Sequence, residues 1–199
     1  MDIVVQKYGG TSVGSVERIK AVAQRIARTV QSGKQVIAVV SAMGHTTDEL
    51  IDLAKRISPY PNPRELDMLM VTGEQVSVAL VAMALQEAGL RAISLTASQV
   101  GIRTEPLYGR ARIAEVRTDR IRRELMAGKV VVVAGFQGVT GTWEAEITTL
   151  GRGGSDTTAT AIAAAFQLPE CEIYTDTEGV YTTDPRLVAN ARKLEEIDY

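Results

Sequence analysis

IVVQKYGGTSVGSVERIKAVAQRIARTVQSGKQVIAVV, residues 3–40, decides the fold. Two apolar runs, IVVQ at 3–6 and VIAVV at 36–40, flank a segment in which Ile19, Val22, Ala23, Ile26 and Val30 recur at helical spacing. Ser15 can cap that helix, and Gly33 falls where it should stop. Neither apolar run alternates with polar residues, so each reads as a strand buried on both faces, the condition of a parallel sheet covered by helices. The stretch is one βαβ unit.

Working outward, AISL at 92–95, VVVVA at 130–134 and CEIYT at 171–175 have the same character. A long helix is predicted to start at Asn62 and Pro63, a cap followed by a residue whose missing N–H costs nothing there. Its apolar stripe would run Leu66, Leu69, Met70, Gly73, Val76, Leu80 and Ala84, ending at Gly89. Residues 101–117 and 135–149 break the alternation and read as hairpins or excursions. The pattern predicts an α/β fold, a three-layer αβα sandwich with a mainly parallel central sheet, as one domain over residues 1–199. Its ligand site is expected beyond the carboxyl ends of the strands.

Composition narrows the function. Lysine and arginine number 22 against 24 acidic residues, a net charge of −2, which argues against a nucleic-acid or anionic-membrane binder. The single cysteine, Cys171, has no intramolecular disulfide partner and reads as a small buried residue. The N-terminus lacks a basic segment followed by an apolar one, and no apolar run is expected to reach bilayer length. A cytoplasmic protein is the expectation.

Two segments join glycines and a cation at a helix start. In KYGGTSVGS, residues 7–15, Gly9 and Gly10 let backbone N–H groups approach a ligand, and Lys7 adds a full charge to the helix dipole. The spacing matches neither common phosphate-loop signature. A tight strand-to-helix turn explains it equally well. In LGRGGSD, residues 150–156, Gly151, Gly153 and Gly154 permit unusual backbone geometry, Arg152 presents a fork that fits a carboxylate, and Ser155 or Asp156 can cap the next helix.

Other candidates are weaker alone. Glu74, at the border of the long helix's stripe, can project into a cleft and accept from an ammonium group, or be a solvated helix residue. VVSAMGHTT, residues 39–47, ends the second strand in small hydroxyl residues, and its His45 reads as a surface loop residue. TDTEGVYTTDPR, residues 175–186, has turn formers at Asp176, Gly179 and Asp184-Pro185, with Tyr181 offering a flat face and Arg186 a charge. Together these groups suit phosphoryl transfer to an amino acid: a lysine with glycine-rich helix starts for the phosphoryl group, and an arginine with a glutamate for the α-carboxylate and ammonium.

KYGGTSV, VVSAMG-x-TTDEL, RELDMLMVTGEQVS, VAGFQG, TTLGRGGSDTTA and EIYTDTEGVYTTDPR occur in the order and approximate spacing of the bacterial aspartate kinases. The chain resembles the catalytic domain of that family, within the amino acid kinase superfamily, over essentially its whole length. Tyr8 stands where KFGGTSV is more usual, which keeps an aromatic packing surface.

The resemblance implies the amino acid kinase fold and a set of roles. Lys7 would bridge the β- and γ-phosphates, with Gly9 and Gly10 shaping the loop around them. Ser41 and Thr47 would contact the amino acid, Glu74 would receive its ammonium, and Arg152 would grip its α-carboxylate. Gly153, Gly154 and Ser155 would line that site. Asp156 would organise Lys7 as a second catalytic residue. Thr175, Asp176, Gly179, Val180, Tyr181, Asp184 and Arg186 would bind ATP.

The implied reaction is attack of the L-aspartate β-carboxylate on the γ-phosphorus of ATP. Mg²⁺ would be held mainly through the phosphates, with no protein metal site, and the product would be 4-phospho-L-aspartate, the entry to lysine, threonine and methionine. A homo- or hetero-oligomer is implied for the full-length enzyme. Leu194, Ile197 and Tyr199 begin an apolar pattern without a stop signal, and the resemblance implies more of the kinase domain and then paired ACT regulatory domains beyond Tyr199. Two alternatives stand beside this reading: another kinase of the superfamily, acting on glutamate, acetylglutamate, carbamate or UMP, and a non-catalytic nucleotide-binding fragment.

Overall fold

The computed structural model describes residues 2–176, 179–185 and 187–196. In chain order the elements are β1 (Ile3–Tyr8), a 3-10 turn (Gly10–Val13), α1 (Val16–Gln31), β2 (Gln35–Val40), α2 (Thr46–Ile57), α3 (Pro63–Met70) and α4 (Thr72–Glu87). They continue with β3 (Ala92–Leu95), α5 (Ala97–Val100), β4 (Ile102–Thr104), β5 (Ile113–Val116), α6 (Asp119–Met126) and β6 (Val130–Ala134). Last come β7 (Gln137–Thr140), β8 (Ile147–Thr149), α7 (Gly154–Ala165) and β9 (Glu172–Tyr174).

The five apolar runs form one parallel sheet in the order β3-β6-β2-β1-β9. Strand alternation sends successive side chains to opposite faces. Val4, Tyr8, Val36, Ala38, Val40, Val130 and Val132 therefore pack with α1 and α4. Val5, Ile37, Val39, Val131 and Val133 pack with Ile121 and Leu125 of α6 and with Ala159, Ile162 and Ala163 of α7. Two apolar cores around one sheet make the predicted α/β three-layer arrangement. Ser15 caps α1 by accepting from Arg18 N–H, and Gly33 follows the helix with φ +93°, as the first stretch required.

The predicted long helix is two helices. Asn62 does cap the start, accepting from Arg64 N–H at 2.9 Å, but α3 gives way to α4 at Val71. There ψ tightens to −16°, and the Val71 carbonyl is shared between Gln75 N–H and the Gln137 side chain of β7. A side chain inserted into a helical ladder is a recognised cause of such a break.

The stripe is also misplaced. Gly73, Glu74, Ser77, Val78, Val81, Ala82 and Leu85 are buried, whereas Val76 is 53% exposed. Apolar residues fill nearly every position from Val76 to Leu85, so spacing could not choose the face. Contrary to expectation, Pro63–Glu87 is long and apolar enough by composition to cross a membrane; half of it is buried in the fold, the placement of a core helix pair.

The two excursions join in a second sheet, order β5-β4-β7-β8, with β4 parallel to β7 and antiparallel pairs on either side. It stands beside the carboxyl ends of the parallel strands.

Candidate active site

All five parallel strands point their carboxyl ends to one edge, and the singled-out loops meet there. On β1, Lys7 shares the face of Val5, toward α7. Its Nζ lies 2.7 Å from Asp156 Oδ1 in the first turn of α7. The lysine residue is only 8% exposed, whereas the Asp156 side chain is 46% exposed, so solvent reaches the pair from the carboxylate side.

Gly10 sits where a Cβ would come 2.9 Å from the Ala42 carbonyl oxygen, and Gly44 N–H donates to Gly10 C=O at 3.0 Å. The loops after β1 and β2 can approach this closely only without a side chain at Gly10. Gly9 N–H is directed to Tyr174 C=O at 3.3 Å, tying the loop to the end of β9. Tyr8, 1% exposed, stacks on Tyr174 with ring centres 5.0 Å apart, and its hydroxyl donates to Gln6 Oε1. The aromatic packing role expected at Tyr8 is present.

The start of α7 departs from expectation. The cap is Gly153, at φ +73° and without a side-chain hydrogen bond, not Ser155 or Asp156. Those two lie inside the first turn, and Asp156 is thereby freed to reach Lys7. The helix packs on the sheet through the small side chains of Ala159 and Ala163 together with Ile162. A Cβ on Gly135 would stand 2.7 Å from Ser155 Oγ and 3.0 Å from its Cα. Gly135→Ala should therefore push α7 off the sheet edge and cost about 1–3 kcal/mol. Thermal denaturation should register a fall of several degrees; an unchanged midpoint would show that the helix start can yield.

A cleft of about 630 Å³ opens between these loops, α3 and α4. It brings together Lys7, Gly10, Ser41, Thr47, Glu74, Arg152, Gly153, Gly154, Ser155 and Asp156, which sequence reasoning had to place separately. Glu74 is 2% exposed, not solvated. Its Oε1 accepts from Ala42 N–H at 3.1 Å, and its Oε2 has no partner among the described residues. Burial lifts its carboxyl from 4.5 to about 7, against a smaller lowering from the Ala42 N–H. Gly73 makes this position possible: a Cβ there would be 2.9 Å from Ala42 Cβ, so α4 lies tight against the loop. Ser77 Oγ donates to Ser41 C=O at 2.7 Å and fixes the same loop. Arg152 is exposed and lines the same cleft, and His45 is a surface residue as expected.

Phe136 also lines the cleft, in a role the sequence did not reveal. It holds φ +68° in a three-residue turn closed by Gln137 N–H to Gly135 C=O at 2.8 Å. Positive φ in a bulky residue is strained, and such residues cluster at functional sites. The VAGFQG motif was the available signal.

The described residues of the expected nucleotide segment are not among those lining the cleft. Thr175 and Asp176 follow β9 at the edge beside Gly9, and both are exposed. Farther on, Val180, Tyr181 and Thr182 run antiparallel to residues 192–194: Thr182 N–H donates to Arg192 C=O and Leu194 N–H to Val180 C=O. Gly179 takes φ +146°, and Asp184 C=O accepts from the N–H groups of Leu187 and Val188, the turn expected at Asp184-Pro185. Arg186, Ile197 and Tyr199 lie outside the described residues.

The sequence pattern of the amino acid kinase family matches residues 2–199. The chain belongs to the amino acid kinase family. Within it, the chain is 62% identical over its full length to an aspartokinase of Geobacillus stearothermophilus and 58% identical to aspartokinase 2 of Bacillus subtilis, covering 48% of each. It thus spans about half the length of the curated relatives it matches. Among solved structures it resembles aspartate kinase from Synechocystis, at 61% identity and TM-score 0.80, over 96% of this chain and 31% of that one. E. coli aspartokinase III in complex with aspartate and ADP superposes at TM-score 0.84 and 27% identity, over 97% of this chain and 53% of that one.

Proposed function

We propose that residues 1–199 belong to the catalytic domain of an enzyme that transfers the γ-phosphoryl group of ATP to the β-carboxylate of L-aspartate. The observation that carries the reading is Glu74, a buried carboxylate with one oxygen unpartnered, in the same cleft as Arg152 and the Lys7–Asp156 pair. A buried acceptor without a partner is costly, and the ammonium of a free amino acid would relieve that cost. Arg152 would take the α-carboxylate in a bidentate pair, with Ser41, Thr47, Gly153, Gly154 and Ser155 closing around it. The β-carboxylate then faces Lys7.

The roles follow from the chemistry. An aspartate β-carboxyl ionises near pH 3.9, so at neutral pH it is already a nucleophile and needs no general base. Catalysis reduces to positioning and charge compensation. Lys7 would neutralise charge on the transferring phosphoryl oxygens, and Asp156 would hold the ammonium of Lys7 toward them. Gly9 and Gly10 would admit the phosphates, with Thr175, Asp176, Gly179, Val180, Tyr181, Asp184 and Arg186 on the nucleotide.

Among the described residues no three His, Cys, Asp or Glu side chains converge as a metal cage. Mg²⁺ would be held chiefly by phosphate oxygens and water. When bound, it would neutralise phosphate charge. The reading includes a cytoplasmic location, 4-phospho-L-aspartate as the first intermediate toward lysine, threonine and methionine, and a homo- or hetero-oligomer without nucleic acid or membrane as partner.

ADP release by the full-length protein should depend on L-aspartate and stay near background with glutamate, carbamate or UMP. Turnover with one of those and not with aspartate would replace this reading by another family activity. Calorimetric binding of ATP and aspartate without turnover would favour a non-catalytic role. Arg152→Lys keeps the charge and loses the fork. Its KM for aspartate should rise about 10- to 100-fold, the loss of roughly 1.5–3 kcal/mol for a hydrogen bond to a charged group, with the KM for ATP almost unchanged. Equal losses for both ligands would remove Arg152 from its role.

A further inference from the structure

Asp67, on α3, is fully buried, the most deeply buried charged residue among those described. Its carboxylate is met entirely by donors from the second sheet and its loops. Gly109 N–H is shared between Oδ1 at 3.1 Å and Oδ2 at 2.9 Å; Thr149 N–H donates to Oδ2 at 2.9 Å, and the Thr149 hydroxyl to Oδ1 at 2.8 Å. Burying a carboxylate is unfavourable unless its acceptor sites are filled, and here backbone and hydroxyl donors fill them.

What those donors hold is the arginine loop. Thr149 ends β8, three residues before Arg152. Between them, Leu150 N–H donates to Phe136 C=O at 2.8 Å, and the Cβ position of Gly151 lies 3.2 Å from the Gly109 carbonyl oxygen. The two chain segments framing Gly151 and Arg152 are thus pinned to one carboxylate. At its other end α3 reaches Val71, whose carbonyl accepts from Gln137, and Glu74 follows three residues later. One short helix therefore connects the segment carrying Glu74, whose Oε2 has no partner among the described residues, to the base of the arginine loop.

We infer that Asp67 is a positioning residue that fixes the spacing between Glu74 and Arg152, and so sets the fit for the ammonium and α-carboxylate of the amino acid; this rests on the aspartate-kinase reading above. Asp67→Asn preserves shape but turns an N–H₂ group toward one of the donors, releasing Gly109 or Thr149. Thr149→Val removes only the hydroxyl bond.

In the full-length protein, Asp67→Asn should raise the KM for L-aspartate at least tenfold while the KM for ATP changes less than twofold, with Thr149→Val intermediate. Amide hydrogen exchange of the ligand-free protein should quicken at residues 149–154 and at Gly109, and stay unchanged in the 3-10 turn after β1. If Asp67→Asn does not fold, Thr149→Val carries both measurements, with an aspartate KM about threefold higher. Equal rises in both KM values, or unaltered exchange at residues 149–154, would overturn the inference. The exchange measurement needs no substrate, so a wild-type protein inactive on aspartate would defeat the proposed activity separately.

Discussion

Glu74→Gln is expected to raise the KM for L-aspartate by roughly 10- to 100-fold and to leave the KM for ATP within about twofold. The substitution keeps the acceptor for Ala42 N–H and removes the negative charge that the ammonium would meet. A hydrogen bond to a charged group is worth about 1.5–3 kcal/mol, which sets the range. An exposed carboxylate would give a far smaller effect, but Glu74 is 2% exposed.

The same burial gives the site a pH dependence. With its carboxyl at about 7, Glu74 is protonated in acid and must ionise to hold an ammonium. Affinity for aspartate should therefore fall about tenfold per pH unit below 7, and Glu74→Gln should flatten that profile. Stability of the ligand-free protein moves the other way. A carboxyl raised in the folded state contributes stability that is fully present below 4.5 and is lost as pH rises through 7, about 3 kcal/mol at most. Thermal midpoints of the free protein should decline from pH 5 to 8, and less so in Glu74→Gln. Parallel midpoints for the two proteins would contradict the assignment.

Lys7→Met should lower kcat by about 10²–10³-fold or more, the scale for deleting one group aimed at developing charge. The KM for aspartate should change much less, because Glu74 and Arg152 remain. Asp156 lies 2.7 Å from the lysine, so the substitution also leaves its carboxylate without that cation. Asp156→Asn is the informative companion: it retains Lys7 and loses only its orientation, so its kcat should fall less than in Lys7→Met. If Lys7→Met retained most of its kcat and merely bound ATP weakly, the lysine would be a docking group and not a catalytic one.

The central βαβ unit was legible because its strands are buried on both faces and therefore read as unbroken apolar runs. Lys7 was legible as a cation at a strand end, and period-two alternation then dictates that it faces α7. Glu74 was not legible as buried: α4 is apolar around nearly its whole circumference, and tertiary contacts such as the packing of Gly73 against Ala42 and the Ser77–Ser41 hydrogen bond select the face. The cap of α7 was misread because Ser155 and Asp156 are good capping residues, whereas a left-handed Gly153 does that work and leaves Asp156 for Lys7. Asp67 gave no signal, since its donors come from residues 42 and 82 positions away. The segment from Thr175 to Arg186 was recognised by motif, and of it Thr175 and Asp176 directly follow β9, which pairs with β1.

The most direct test incubates the full-length protein with ATP, Mg²⁺, L-aspartate and hydroxylamine, which captures an acyl phosphate as its hydroxamate. Phosphorylation of the β-carboxylate predicts aspartyl β-hydroxamate in amounts equal to the ADP formed, lost in Lys7→Met and requiring higher aspartate in Glu74→Gln. ADP formed from ATP and aspartate without hydroxamate would contradict it.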